Sequence, residues 1–106
     1  MTYIVTAAKY PTHIGVEVGK KYLEALKKFP LGEGPGEAIV QAAVRGTIEG
    51  TKVFSITKVK DEEFVSTWRR ISNMMALFIG IEGFSYTMEV WAEVQDALDL
   101  VGLKLP

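Results

Sequence analysis

The chain has 106 residues, enough for one domain spanning 1–106 and too few for two. It has no cysteine and a single histidine, His13. That excludes disulfides, thiolate nucleophiles, Cys-held zinc or iron–sulfur clusters and any multi-His metal site within one chain, so no metal and no cofactor is expected. A net charge of −1, with 48% hydrophobic and 24% charged residues, describes a globular chain with no overall pull toward nucleic acid or an anionic membrane.

The charge is unevenly spread. Residues 1–60 hold nine Lys/Arg and five Asp/Glu, a net +4, whereas residues 61–106 hold three and eight, a net −5. Within one small domain this predicts two differently charged faces. The N-terminal residues lack the basic and apolar regions of a signal peptide. The most apolar run, Met74 to Ile81, is far shorter than the ~20 residues of a membrane span. A cytoplasmic protein that contacts neither membrane nor nucleic acid is therefore expected.

Thr2 to Tyr10 reads as a strand rich in β-branched and aromatic residues, with Tyr3, Val5 and Ala7 on one face and Ile4, Thr6, Ala8 and Tyr10 on the other. Pro11 stops it, and the Thr12 hydroxyl is placed to cap a helix. Ile14, Val18, Tyr22, Ala25, Leu26 and Phe29 then recur at helical spacing until Pro30. Leu31 to Gly36 is a loop; its three alternate glycines follow a helix rather than a strand and lack a Lys-Ser/Thr step, so they match no phosphate loop.

Residues 37–43 are compatible with either helix or strand. Val44 to Ile48 reads as strand, Glu49-Gly50 as a turn and Val53 to Val59 as strand, giving a β-hairpin. Asp61 is a candidate N-cap for a second helix, whose stripe is Phe64, Trp68, Ile71, Met75 and Phe78. Gly80 or Gly83 ends it. Phe84 to Val94 alternates again, with Tyr86, Met88 and Val90 against Thr87, Glu89 and Trp91. Gln95 to Leu103 carries a small helical stripe of Ala97, Leu98 and Val101. It is too short to be stable alone and must dock on its own sheet edge or on a neighbouring subunit.

The order strand, helix, strand, strand, helix, strand, short helix predicts an α+β, ferredoxin-like βαββαβ fold: a four-stranded antiparallel sheet with two helices on one face. The helix-covered face is expected to carry Tyr3, Val5, Ala7, Phe54, Ile56, Met88 and Val90. The other face would then show Thr6, Tyr10, Ser55, Thr57, Thr87, Glu89 and Trp91, mixed with Ile4, Val53 and Val59. So much apolar surface calls for a partner, most economically the same face of a second copy in a homodimer or higher homo-oligomer.

The segments VTAAKYP (Val5–Pro11), VGKKYLEALKKFP (Val18–Pro30), AAVRGTIEGTKVFSITKVK (Ala42–Lys60) and IEGFSYTMEVWAEVQDAL (Ile81–Leu98) resemble the dimeric α/β-barrel superfamily of ferredoxin-like proteins, and among them small prokaryotic members. The resemblance implies a dimeric α/β barrel. That superfamily includes cofactor-independent oxygenases, haem-degrading enzymes, lactone isomerases and ligand-sensing modules, and fold alone does not choose among them. Its haem-degrading members use a strand-one asparagine, a helix-two tryptophan and a histidine near that helix's end. This chain has Thr6 or Ala8, then Trp68, and no histidine after His13, so only one of three matches.

Three functions follow as expectations. The first is a homo-oligomer binding a small apolar or aromatic metabolite between the sheets through Thr6, Tyr10, Ser55, Thr57 and Trp91. The second is a cofactor-free oxygenase or isomerase with Glu89 or His13 as base. The third is a structural subunit of a larger assembly without a small ligand.

Overall fold

The computed structural model describes all 106 residues. Four strands form one antiparallel sheet: β1 (Thr2–Tyr10), β2 (Glu37–Thr47), β3 (Gly50–Val59) and β4 (Ser85–Ala92), in spatial order β2-β3-β1-β4. Helices α1 (Gly15–Lys28) and α2 (Phe64–Ala76) make the βαββαβ connections, and a short α3 (Val94–Asp99) follows β4. This is the ferredoxin-like arrangement expected from the element order. None of the helices is long and apolar enough to cross a membrane.

Both long helices begin with a single 3₁₀ turn, Thr12–Ile14 before α1 and Asp61–Glu63 before α2, and neither is capped by a side chain. The two expected caps do other work. The Thr12 hydroxyl shares a 3.2 Å hydrogen bond with the Thr51 hydroxyl, fastening the start of α1 to β3. Asp61 accepts a 2.9 Å hydrogen bond from the Thr2 hydroxyl and lies 3.4 Å from the N-terminal ammonium. In α2, the Thr67 and Ser66 hydroxyls instead bond back to the Glu63 carbonyl.

Residues 37–43, undecided by periodicity, are strand. Two irregularities interrupt their pairing with β3, between Ala38 and Val40 and between Val40 and Ala43. Each inserts one extra residue opposite its partner, breaking the alternation that identifies a strand and twisting an exposed edge. The hairpin turn is Ile48-Glu49, with Thr47 paired to Gly50. Gly50 has φ 127°, and a Cβ there would stand 2.7 Å from the Tyr10 carbonyl oxygen, so only glycine lets the turn lie against the end of β1.

The register sets the faces. Thr6 is opposite both Ser55 and Met88, and Ile4 is opposite both Thr57 and Val90. Directly opposed residues share a face, so Ile4, Thr6, Ala8, Val53, Ser55, Thr57, Met88 and Val90 lie together. Ser72 of α2 donates to the Met88 sulfur at 3.6 Å, which identifies this as the helix-covered face. The expectation for β4 holds, but those for β1 and β3 are reversed: Tyr3, Val5, Ala7, Phe54 and Ile56 lie on the open face. Both faces of β1 are nearly equally apolar, so alternation alone could not orient it. Ile4 and Val59 are each 1% exposed under the helices, while Phe54 is 44% exposed.

The helices and the segment after α2 share a buried cluster of Val18, Ala25, Met75, Phe78 and Ile81, against which Tyr10 and Tyr86 of the sheet pack. Arg70 ties α2 to the end of α1, donating to the Pro30 carbonyl at 3.0 Å and lying 5.5 Å from the Phe29 ring centre.

Two outcomes test these local contacts. Gly50→Ala is expected to destabilise the chain by about 1–3 kcal/mol in denaturant titrations. The Thr2 hydroxyl, and next the N-terminal ammonium, hold the Asp61 carboxyl below its ordinary value of 3.8. A depressed folded-state value means stability that is present above the ordinary value and lost as pH falls through and below it. Asp61→Asn should therefore lower the melting temperature at neutral pH, and the difference should close in strong acid.

Candidate functional site

The register brings Thr6, Ala8 and Tyr10 of β1 beside Val53 and Ser55 of β3 on the face beneath the helices. Over them lie Val18, Gly19 and Tyr22 of α1 and Met74 and Met75 of α2, with Phe78 and Phe84 closing one end. These residues line a partly open cavity of about 170 Å³, large enough for one small aromatic molecule. Its lining is overwhelmingly apolar. The Phe78 and Phe84 rings stack at 4.9 Å, and Tyr10 continues the stack 6.1 Å from Phe84.

Polar groups enter this lining at few points. The Thr6 and Ser55 side chains are directly opposed across the β1–β3 ladder. No fully buried side-chain oxygen or nitrogen lacks a partner. The Thr6 and Ser55 hydroxyls make no hydrogen bond within the chain, and both residues line the cavity. Tyr22 makes the other polar contact, its hydroxyl accepting a 2.8 Å bond from Gln41 of β2. That bond joins α1 to the bulged edge strand beside the cavity. Gly19 is exposed, and a Cβ there would meet nothing within 4 Å, which leaves an opening between α1 and β2.

Three of the five expected ligand contacts, Thr6, Tyr10 and Ser55, thus come together, but under the helices rather than on the open sheet. Thr57 shares their face farther along β3, where its methyl would be 3.0 Å from a Cβ at Gly36, in a separate small crevice. Trp91 lies on the opposite face, opposed to Tyr3. Glu89 is also on that open face, opposed to Val5, and is exposed. His13 is exposed in the 3₁₀ turn before α1. Neither reaches the cavity, and no group of three or more Asp, Glu or His side chains is arranged to hold a metal.

No family model matches the chain, and no curated protein matches it. Among solved structures it is similar to the de novo designed protein Foldit4, with 11% identity and a TM-score of 0.50 over 88% of this chain and 99% of that one. It also aligns with a formyltetrahydrofolate deformylase from Pseudomonas putida at 14% identity and a TM-score of 0.43, spanning 88% of this chain but only 29% of that enzyme. The first likeness bears on the fold alone.

Val18, Tyr22, Met75 and Phe78 were legible only as core positions of two helical stripes. That they leave space beneath them depends on helix-to-sheet spacing, which no local pattern encodes. Tyr10, followed by the strand-stopping Pro11, was the one visible hint of an aromatic wall.

The open face has a second concavity, a shallow groove of about 550 Å³. Its apolar floor is Ala7, Ala43 and Phe54, and its rim carries Lys9, Arg45 and Lys52.

Because Gly19 sits inside α1 with free space around it, Gly19→Ala should stabilise the chain by about 0.5–1 kcal/mol. Thermal or chemical unfolding checks this; a loss of stability would show that the opening at Gly19 is not free.

Proposed function

We propose that this chain is a small, cytoplasmic, homo-oligomeric protein of the dimeric α/β-barrel type that binds an apolar or aromatic metabolite. The observation that carries the reading is the partly open apolar cavity with two opposed, unbonded hydroxyls, Thr6 and Ser55. Such a lining favours a flat apolar ligand with one or two polar atoms, oriented by the hydroxyls and stacked along Tyr10, Phe84 and Phe78. The cysteine-free sequence fits a reducing compartment.

The homo-oligomeric part rests on surface. A globular chain of 11.7 kDa exposes about 5,900 Å² by mass scaling, whereas this one exposes 7192 Å². Its radius of gyration is 15.6 Å, against about 13 Å for a compact domain of this length. Among the exposed large apolar side chains, Trp91 and Phe54, 56% and 44% exposed, lie on the open sheet face. Face-to-face association of two copies would cover it.

A base-catalysed oxygenase or isomerase would need a carboxylate or imidazole at the bound molecule. Glu89 and His13 both lie away from the cavity, so binding is preferred to catalysis. The third reading, an assembly subunit without a ligand, differs from the first in one measurable respect, occupancy of the cavity.

Indole is a suitable probe, and calorimetry should give saturable binding. Ser55→Leu places a side chain into the cavity and is expected to abolish that binding while the chain stays folded. Trp91→Asp should leave indole binding intact but weaken self-association by at least about 2 kcal/mol in sedimentation. No saturable indole binding to the wild type, or binding unaltered by Ser55→Leu, would overturn the ligand assignment. An unchanged particle mass for Trp91→Asp would overturn the role of the open face.

A further inference from the structure

Two features of the open face remain unexplained by a ligand under the helices. The first is a row of like charges. Lys52 is directly opposite Lys9 on one side and Arg45 on the other, so three cations stand in line across three adjacent strands. Like charges directly opposed on a sheet repel. The only acid that meets the row is Glu49, 3.7 Å from Lys9. Beside these cations lies the apolar floor of Ala7, Ala43 and Phe54. A partner suited to this groove is apolar with anionic groups along one side.

The second feature is the segment after β4. It is ordered by its own hydrogen bonds: Gln95 donates to Asp99 at 2.7 Å and to the Leu103 carbonyl at 3.3 Å, and accepts from the Leu105 amide at 3.0 Å. Gly102, at φ 74°, closes α3 with amide bonds from Leu103 to Leu98 and from Gly102 to Asp99, a Schellman turn. Yet this hook leaves most of its apolar surface bare. Leu100, Val101 and Leu103 are all more than half exposed, beside the carboxylates of Asp96 and Asp99. Of the expected docking stripe, Ala97 and Val101 are exposed and Leu98 is half-buried.

We infer that the segment 94–105 of one copy docks in the Lys9–Lys52–Arg45 groove of a second copy, and that the exchange is reciprocal. Leu100, Val101 and Leu103 would cover the groove floor, and Asp96 and Asp99 would face the three cations. Geometry favours a second copy over the chain's own tail. The hook leaves β4 at Ala92, opposite Thr2, whereas the groove lies at Lys9. These ends of β1 are separated by about 23 Å at the usual rise per residue. A two-fold axis lying between two facing sheets and running across the strands places the Thr2 end of each copy over the Lys9 end of the other. Each tail then arrives at its partner's groove, and the contact closes as a dimer. The Lys58–Glu93 ion pair, 3.0 Å long, fixes the root of the hook to β3.

The inference rests on the homo-oligomeric reading but not on the ligand. Its test is a charge exchange read by sedimentation. Chains carrying Asp96→Lys with Asp99→Lys, or Arg45→Glu with Lys52→Glu, are each expected to self-associate at least about tenfold more weakly than wild type. Mixed, they should form a heterodimer of wild-type strength, because both of its tail–groove contacts are then matched. Circular dichroism melting of each variant confirms that the fold is kept. A wild type that stays monomeric would overturn the homo-oligomer itself. A wild-type dimer unaffected by either exchange, or weakened variants that the mixture does not rescue, would overturn the tail docking alone and leave face-to-face association standing.

Discussion

Strand β1 governs this molecule because it lies between two straight ladders, paired to β3 from Thr2 to Tyr10 and to β4 from Thr2 to Lys9 without a register shift in either. Its two rows of side chains therefore decide what each layer can be. The row Ile4, Thr6, Ala8, Tyr10 faces the helices and becomes large, small, small, aromatic along the strand. Ile4 fills its space completely, whereas Thr6 and Ala8 are too short to reach α1 and α2, and Tyr10 closes the far end. The cavity is thus a consequence of side-chain length along one strand. The other row, Tyr3, Val5, Ala7, Lys9, passes from apolar to basic and gives the open face its polarity.

That polarity gives the uneven charge of the sequence a meaning that composition alone could not. Lys9, Arg45 and Lys52 belong to the basic half of the chain and gather at one end of the open face. Asp96 and Asp99 belong to the acidic half and leave from the other end. Surface charges of this kind contribute little energy pair by pair, so their use is to select an orientation, while burial of Trp91, Phe54 and the tail leucines supplies the attraction.

The element order, the hairpin and both long helices were legible because each rests on a local signal: a switch of period from 2 to 3.6, proline at helix ends, glycine at the turn. Strand β4 was oriented correctly because Met88 and Val90 contrast clearly with Thr87 and Glu89. Two kinds of information were not local. In β2, extra residues near Ile39 and between Val40 and Ala43 shift the phase of the alternation, so the strand imitates a helix former. In β1 and β3, both rows are apolar enough to face a core, and only register against β4 tells which does. This reversal carried Thr6, Tyr10 and Ser55 from a presumed open face into the cavity while leaving Trp91 and Glu89 outside it.

The pairing of β1 with β4 has a mechanical consequence. Thr2 and Ala92 are rungs at the same end of one antiparallel ladder, although ninety positions separate them in sequence. A pull applied between these two residues loads a single rung at a time, opening the ladder like a zipper toward Lys9 and Ser85 instead of shearing all its hydrogen bonds together. Resistance to force along that direction is set by the first rungs alone. A tail clasped by a second copy would brace the Ala92 end of the ladder, so association would harden the fold against tension while leaving the ladder's own pairing unchanged.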